Sequence, residues 1–435
     1  MKNQSAEPSL SWWHLSLIGA GGTVGTGYFL GTGIALKSSS WFTIPAFLIA
    51  AFATWIVYKR LAMMTMADPC EGSFCTYAGK AYGRWAAFLC GWIYWISTVL
   101  IMGGQLTALG ILSRYWFPSI PLWVFTLIFA VLSITVVLLG ARGFDIAEDF
   151  FSVIKLSALV IFLFIGASLL SGGRNHFHLN GSMPFDEGFN RMRTSLIFAF
   201  YSFAGIEVIG LMASRLTETK DIFKSGRALI LCLGSLYVLA LWVTMKLQAP
   251  THFSSEESPF ISVLNRGHVP IVASCFNGVI LIAGFSALAA ALFSVTRLLR
   301  SMADEGEAPR IFKRKWKRDI PLPSLCLSVA GMGIAIIASH LLPGIIFEAF
   351  ITAAGILLLC NWAFILLSSF KLLDRDVRRN GVSLFALAIL VLAISGTFTL
   401  KESRYGFYLS MVLLVLISLA SLLFNYKSSR RLAKS

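Results

Sequence analysis

Three groups of residues could do chemistry in this chain, and each sits where polar chemistry is costly. The first is Gly19-Ala20-Gly21-Gly22-Thr23-Val24-Gly25-Thr26-Gly27, five glycines in nine residues, inside an apolar run from Trp12 to Leu36. Such a run is long enough to cross a bilayer. Each glycine costs a helix about 1 kcal/mol relative to alanine. A helix broken in hydrocarbon also frees N–H and C=O groups that lipid cannot satisfy, so the break needs protein, water or a ligand to take them up. A small-residue packing face is the alternative, since Gly21 and Gly25, and Gly27 and Gly31, have G-x-x-x-G spacing.

The second group is Phe200-Tyr201-Ser202-Phe203-Ala204-Gly205-Ile206-Glu207, where Gly205 offers another break and Glu207 a carboxylate at membrane depth. The third is Lys155, ten residues after Asp145 in an otherwise apolar run. At about 1.5 Å per residue that is roughly 15 Å into a helix, too deep for easy snorkelling, and an ionisable group there defaults to a functional role. The alternative is a structural lysine bonded to helix carbonyls. Asp145, Glu148 and Asp149 read as acids at the helix N-terminus. Gln105 is a lone amide in the third apolar run and is expected to face protein.

The elements that must hold these groups are apolar segments. Hydrophobic residues make up 57% of the 435, charged residues 13%, and mean hydropathy is +0.77. That composition excludes a soluble globular protein. Twelve segments are long enough to span or nearly span, at 12–36, 42–63, 86–112, 121–141, 146–170, 194–213, 228–248, 269–296, 322–342, 345–369, 382–400 and 405–425. Lys and Arg concentrate in the tails and in the loops on the same side, which places both termini in the cytoplasm. The net charge of +15 then needs no nucleic acid; the basic stretch Arg310 to Arg318 reads as an inner loop touching anionic lipid. The two breaks head segments one and six. An offset of five spans inverts the topology, as a repeat of five helices plus five requires.

Enzyme chemistry finds no support, because no nucleophile–base pair and no metal-spaced His/Glu set is present. His176 and His178, in the polar loop with Asn180, read as solvated and external. The seven cysteines contain no C-x-x-C pair and imply neither disulfide nor zinc.

The first glycine run resembles the first-helix motif of bacterial amino-acid permeases of the amino acid–polyamine–organocation superfamily. So do Gly72-Ser73-Phe74-Cys75-Thr76-Tyr77-Ala78, Gly91-Trp92-Ile93-Tyr94-Trp95, Phe203-Ala204-Gly205-Ile206-Glu207, and Ala308-Pro309-Arg310-Ile311-Phe312 with Pro321-Leu322-Pro323. The resemblance implies an all-α membrane protein of twelve helices, with a LeuT-like inverted-repeat core and helices one and six broken. The organisation expected is a tail at 1–11, repeats at 12–170 and 194–369, an outer loop at 171–193, two further helices within 370–426 and a basic tail at 427–435.

It implies secondary transport of an amino acid across the plasma membrane, with no cofactor and with a membrane lipid surround. A ligand-sensing subunit of the same fold is the alternative. The substrate carboxylate is expected at the N–H groups of Gly25, Thr26 and Gly27, and the ammonium at carbonyls of Thr23, Tyr201 and Ala204. Gly21, Gly22, Phe200, Ser202, Phe203 and Gly205 complete the expected site. Lys155 matches the family position whose ammonium replaces a sodium ion in related carriers, so the coupling ion is expected to be a proton. Glu207 and Gln105 are candidates for gating or coupling. The chain departs from the family where Gln105 stands for a glutamate, Arg215 for an acid, and Ala289-Ala290 for an Asn-Ser pair. The missing hydroxyls disfavour sodium. The apolar residues Ile101, Phe200, Phe203 and Phe285 lead to the expectation of a neutral, apolar L-amino acid.

Overall fold

The first apolar run does not form one helix. In the computed structural model it divides into α1 (Trp12–Thr23), α2 (Thr26–Phe29) and α3 (Gly31–Ser39), and Val24 and Gly25 between the first two are extended. The structure describes residues 11–70, 72–172, 185–212, 216–254, 257–267, 269–314, 320–341, 346–373 and 377–432. His176, His178, Asn180, Arg215, residues 1–10 and residues 433–435 lie outside the described residues, and a helix runs through the expected basic tail as far as Leu432.

The first half continues with α4 (Thr43–Ala67), α5 (Ser73–Tyr82), α6 (Arg84–Ser113), α7 (Leu122–Leu138) and α8 (Ala141–Ser171). Gly83 and Gly140 take φ of +92° and +88°, turning the chain immediately before α6 and α8. The second half opens with another broken helix, α9 (Phe185–Tyr201) and α10 (Val208–Met212), joined by a turn. It proceeds through α11 (Ile222–Leu247), α12 (Pro259–Arg266), α13 (Pro270–Asp304), α14 (Leu322–Leu341) and α15 (Ile346–Leu372). Helices α16 (Val377–Gly396) and α17 (Lys401–Leu432) follow. Among the described residues seven helical stretches are long and apolar enough to cross a membrane, and three shorter apolar helices accompany them.

Packing explains the arrangement. The broken α1 lies against α8, α11 and α13, while α6 runs along α13 and α15. α12 forms in the connection between α11 and α13; Pro259 at its first turn is pre-set for helix, and Phe260, Ile261, Val263 and Leu264 are all buried. Phe260 and Phe276 pack on Phe162 and Phe29, and Tyr28 stacks on Tyr237 with ring centroids 3.7 Å apart. The Tyr28 hydroxyl donates to the Tyr237 carbonyl at 2.9 Å. This aromatic mass closes the end of the core beyond α2.

The fifth expected span begins earlier than its apolar content suggests. α8 starts at Ala141, so Glu148 is two turns inside the helix and only 2% exposed. Its expected place at the helix N-terminus is thus corrected: helix register carries the carboxylate into the core.

Candidate functional site

The two breaks meet. Gly205, at φ +102°, brings the second break so close to the first that a β-carbon there would lie 2.8 Å from the Gly22 carbonyl oxygen. At the first break Val24 N–H still bonds to Ala20, and the next intrahelical donors are Tyr28 and Phe29, both to Gly25. Gly25, Thr26 and Gly27 therefore present first-turn amides with no place in the helical ladder. At the second break Ala204 N–H bonds back to Tyr201 at 3.1 Å, a turn that re-aims the chain before α10.

A cavity of about 750 Å³, its open mouth included, lies between the breaks. Of the residues expected from sequence, Gly22, Thr23, Gly25, Gly27, Gln105, Tyr201, Ala204, Gly205 and Glu207 line it. Ile101 lines it too, and α13 contributes Ala287, Ala290, Ala291 and Ser294. Ile18, Val208 and Ser294 complete its lining.

Five expected residues are elsewhere. Gly21 faces α8, and Thr26 turns its methyl group towards Gly284 of α13. Phe200 packs edge-on against Trp362 at 6.0 Å, and Phe203 against Tyr237 at 5.5 Å. Ser202 donates to the Phe198 carbonyl at 2.9 Å within its own helix. Phe285 is also turned away, towards Phe129. Of the expected apolar residues Ile101 stands in the wall, joined by Tyr201 and the alanines of α13, while Phe200, Phe203 and Phe285 pack against neighbouring rings.

Two buried carboxylates stand at the cavity, and each is tied to several helices. Glu207 accepts from the Tyr94 hydroxyl at 3.0 Å, from the Trp362 indole at 3.3 Å and from Gly205 N–H at 3.2 Å. That set binds α6 and α15 to the second break. Glu148 accepts from Ser286 of α13 at 2.8 Å and pairs with Lys155 at 3.5 Å. The Lys155 ammonium donates in turn to the Gly21 carbonyl just before the first break. Lys155 is fully buried and joins α8 to α1, while Glu148 joins α8 to α13.

The Gln105 amide lines the cavity with its Oε1 buried and, among the described residues, without a hydrogen-bond partner. Tyr94, Glu148 and Ser286 were not anticipated as functional. For Glu148 a signal existed: seven residues separate it from Lys155, and 3.6 residues per turn put both on one helix face.

The sequence matches the family described as "Amino acid permease" over residues 14–400. It is 41% identical over 437 residues to the "Uncharacterized transporter YcgH" of Bacillus subtilis, covering 99% of this chain and 98% of that one. It is 30% identical to "Amino-acid permease RocC" of the same organism, covering 85% and 81%. With "Aromatic amino acid transport protein AroP" of Escherichia coli K12 it shares 29% identity, over 82% and 80%. Among solved structures, that of MhsT in complex with L-phenylalanine superposes with a TM-score of 0.65 at 13% identity, over 90% of this chain and 99% of that one. The likeness is one of fold, the LeuT-like arrangement of two repeats with broken first helices.

Proposed function

We propose that this chain, which belongs to the amino acid permease family and carries amino acids across a membrane, imports a neutral L-amino acid together with a proton. The observation that carries the reading is the meeting of the two breaks over one cavity. Free amides of Gly25, Thr26 and Gly27 suit a carboxylate, and carbonyls of Thr23, Tyr201 and Ala204 suit an ammonium. The backbone thus reads the part common to all α-amino acids.

The side chain is left to the rest of the wall. Ile101, Ala287, Ala290 and Ala291 are apolar. Both carboxylates are held by protein donors, so neither is set aside for a cationic side chain. The alanines leave room for bulk, and relatives named for aromatic substrates accord with that. Lys155 is the coupling residue: its ammonium fastens α8 to the first break, and its neutral form loosens that tie. The termini are cytoplasmic in this reading, so the α1 end of the site lies on the inner side and the aromatic mass around α2 on the outer side. Tags at Met1 and Ser435 should both report cytoplasm.

The experiment is uptake into proteoliposomes of a radiolabelled amino-acid panel, with and without an acidic exterior. Neutral amino acids should accumulate when the outside is acidic, without sodium. Binding without accumulation would identify a sensor. If arginine, lysine or glutamate outcompeted leucine, valine, alanine and phenylalanine, the neutral pocket would be wrong.

A further inference from the structure

Lys155 has no surface of its own in the conformation seen. It is fully buried and does not line the cavity, whereas Glu148, 3.5 Å from it, does. A proton leaving the ammonium therefore has a carboxylate between it and the cavity. We propose that Glu148 is the port through which the coupling proton passes from Lys155 to the cavity. The inference rests on the proton-coupled reading above and adds a residue to it.

The geometry of the port is specific. Oε1 faces the ammonium and Oε2 accepts from the Ser286 hydroxyl at 2.8 Å, so the carboxylate is held between its helix and α13. Gly21 makes this possible: a β-carbon there would collide with Glu148 Oε1 and with the Ser152 hydroxyl. The step balances simply. The Lys155 ammonium gives its proton to Oε1, leaving a neutral amine and a carboxylic acid, and the acid then releases the proton to cavity water and regains its charge.

Among the described residues the surroundings bring no second charge into contact with this pair. From α1 it meets the Gly21 carbonyl, from α13 the Ser286 hydroxyl, and α7 has no charged side chain. Among the described residues no charge of α11, whose basic residues are Lys224, Arg227 and Lys246, lies within ion-pair distance of Glu148, and its other ionisable residues, Cys232 and Tyr237, are neutral. Glu207 lines the same cavity but is engaged by Tyr94 and Trp362. On α8 itself the side chains of Arg142, Asp145 and Asp149 lie outside those described.

The test compares two modes of transport in proteoliposomes. Gradient-driven uptake requires proton release on every turn, whereas counterflow of labelled against unlabelled substrate can proceed with the proton retained. A positioned proton-transfer group is worth about 10²–10⁴-fold in rate. Glu148→Gln should therefore cut gradient-driven uptake by about 100-fold and counterflow far less. Glu148→Asp, which keeps the carboxylate, should restore much of the gradient-driven rate with a shifted pH profile, and Ser286→Ala should shift the profile as well. Parallel loss of both modes in Glu148→Gln without rescue by Glu148→Asp would mean a structural role and overturn the port. If Glu148→Gln does not yield folded protein, unshifted pH profiles in the other two variants overturn it. Wild type that fails to accumulate substrate under an acidic exterior overturns the proton-coupled reading itself, and the port with it.

Discussion

Gly205 and Gly22 lie so close that the second helix break is built on the carbonyl of the first. Gly205 has no room for a side chain on the shared side, and it also needs its φ of +102°. The two breaks are in this sense one structure, and a change at either should be felt at both.

Gly205→Ala should accordingly lose substrate binding and transport. An L-residue held at such a backbone angle costs about 1–3 kcal/mol, and the added methyl would press on the Gly22 carbonyl as well. Thermal unfolding in detergent should show that loss, and uptake should be absent from folded protein. Gly27→Val is the companion variant, because a β-carbon there would lie 2.5 Å from the Tyr201 ring. Normal affinity in both would return the glycines to the role of a packing face.

Lys155→Met should abolish accumulation driven by a pH gradient. It also leaves the Glu148 carboxylate without its cation, and breaking a buried pair on one side costs about 3–5 kcal/mol. The double variant Lys155→Met/Glu148→Gln removes both charges and should unfold at a higher temperature than the single one, while remaining unable to couple. A double variant less stable than Lys155→Met would show that the two residues do not act as a pair. Undiminished gradient-driven uptake by Lys155→Met would end its assignment as the coupling residue.

A pH effect should arise in the loop after α13, outside the spanning segments. Glu307 is drawn to the Arg84 guanidinium at 3.2 Å, but burial outweighs that attraction and raises its carboxyl above the ordinary 4.5. With the folded value above the unfolded one, the unfolded chain binds fewer protons in that window, so this group's contribution to stability falls as pH rises through it. Glu307→Gln is neutral throughout and should flatten that part of the curve. Melting temperatures of wild type and variant across mildly acidic pH would check this. Identical slopes would contradict it.

The sequence made the breaks legible because glycine density at membrane depth has few other uses. It made Lys155 legible because an ammonium in hydrocarbon demands an explanation. Glu148 escaped because three acids near an apparent helix start look like ordinary dipole partners. Only the true start of α8, at Ala141, shows how far inside it lies. For Phe200, Phe203 and Phe285 the sequence is silent on direction: an apolar residue in a segment beside the cavity can equally point into a neighbouring ring. Ser286 becomes visible only when α13 is set beside the breaks, and Tyr94, although it stands in Gly91-Trp92-Ile93-Tyr94-Trp95, shows its partner only when α6 is set there too.

The stack of Tyr28 on Tyr237, with Phe29, Phe162, Phe260 and Phe276 around it, has a thermal consequence. Any conformation that opens the cavity towards α3 must part these rings and wet them. Hydrating apolar surface raises the heat capacity. The equilibrium between the two openings should then follow a curved rather than straight van't Hoff line, with cooling weakening the hold of the aromatic seal.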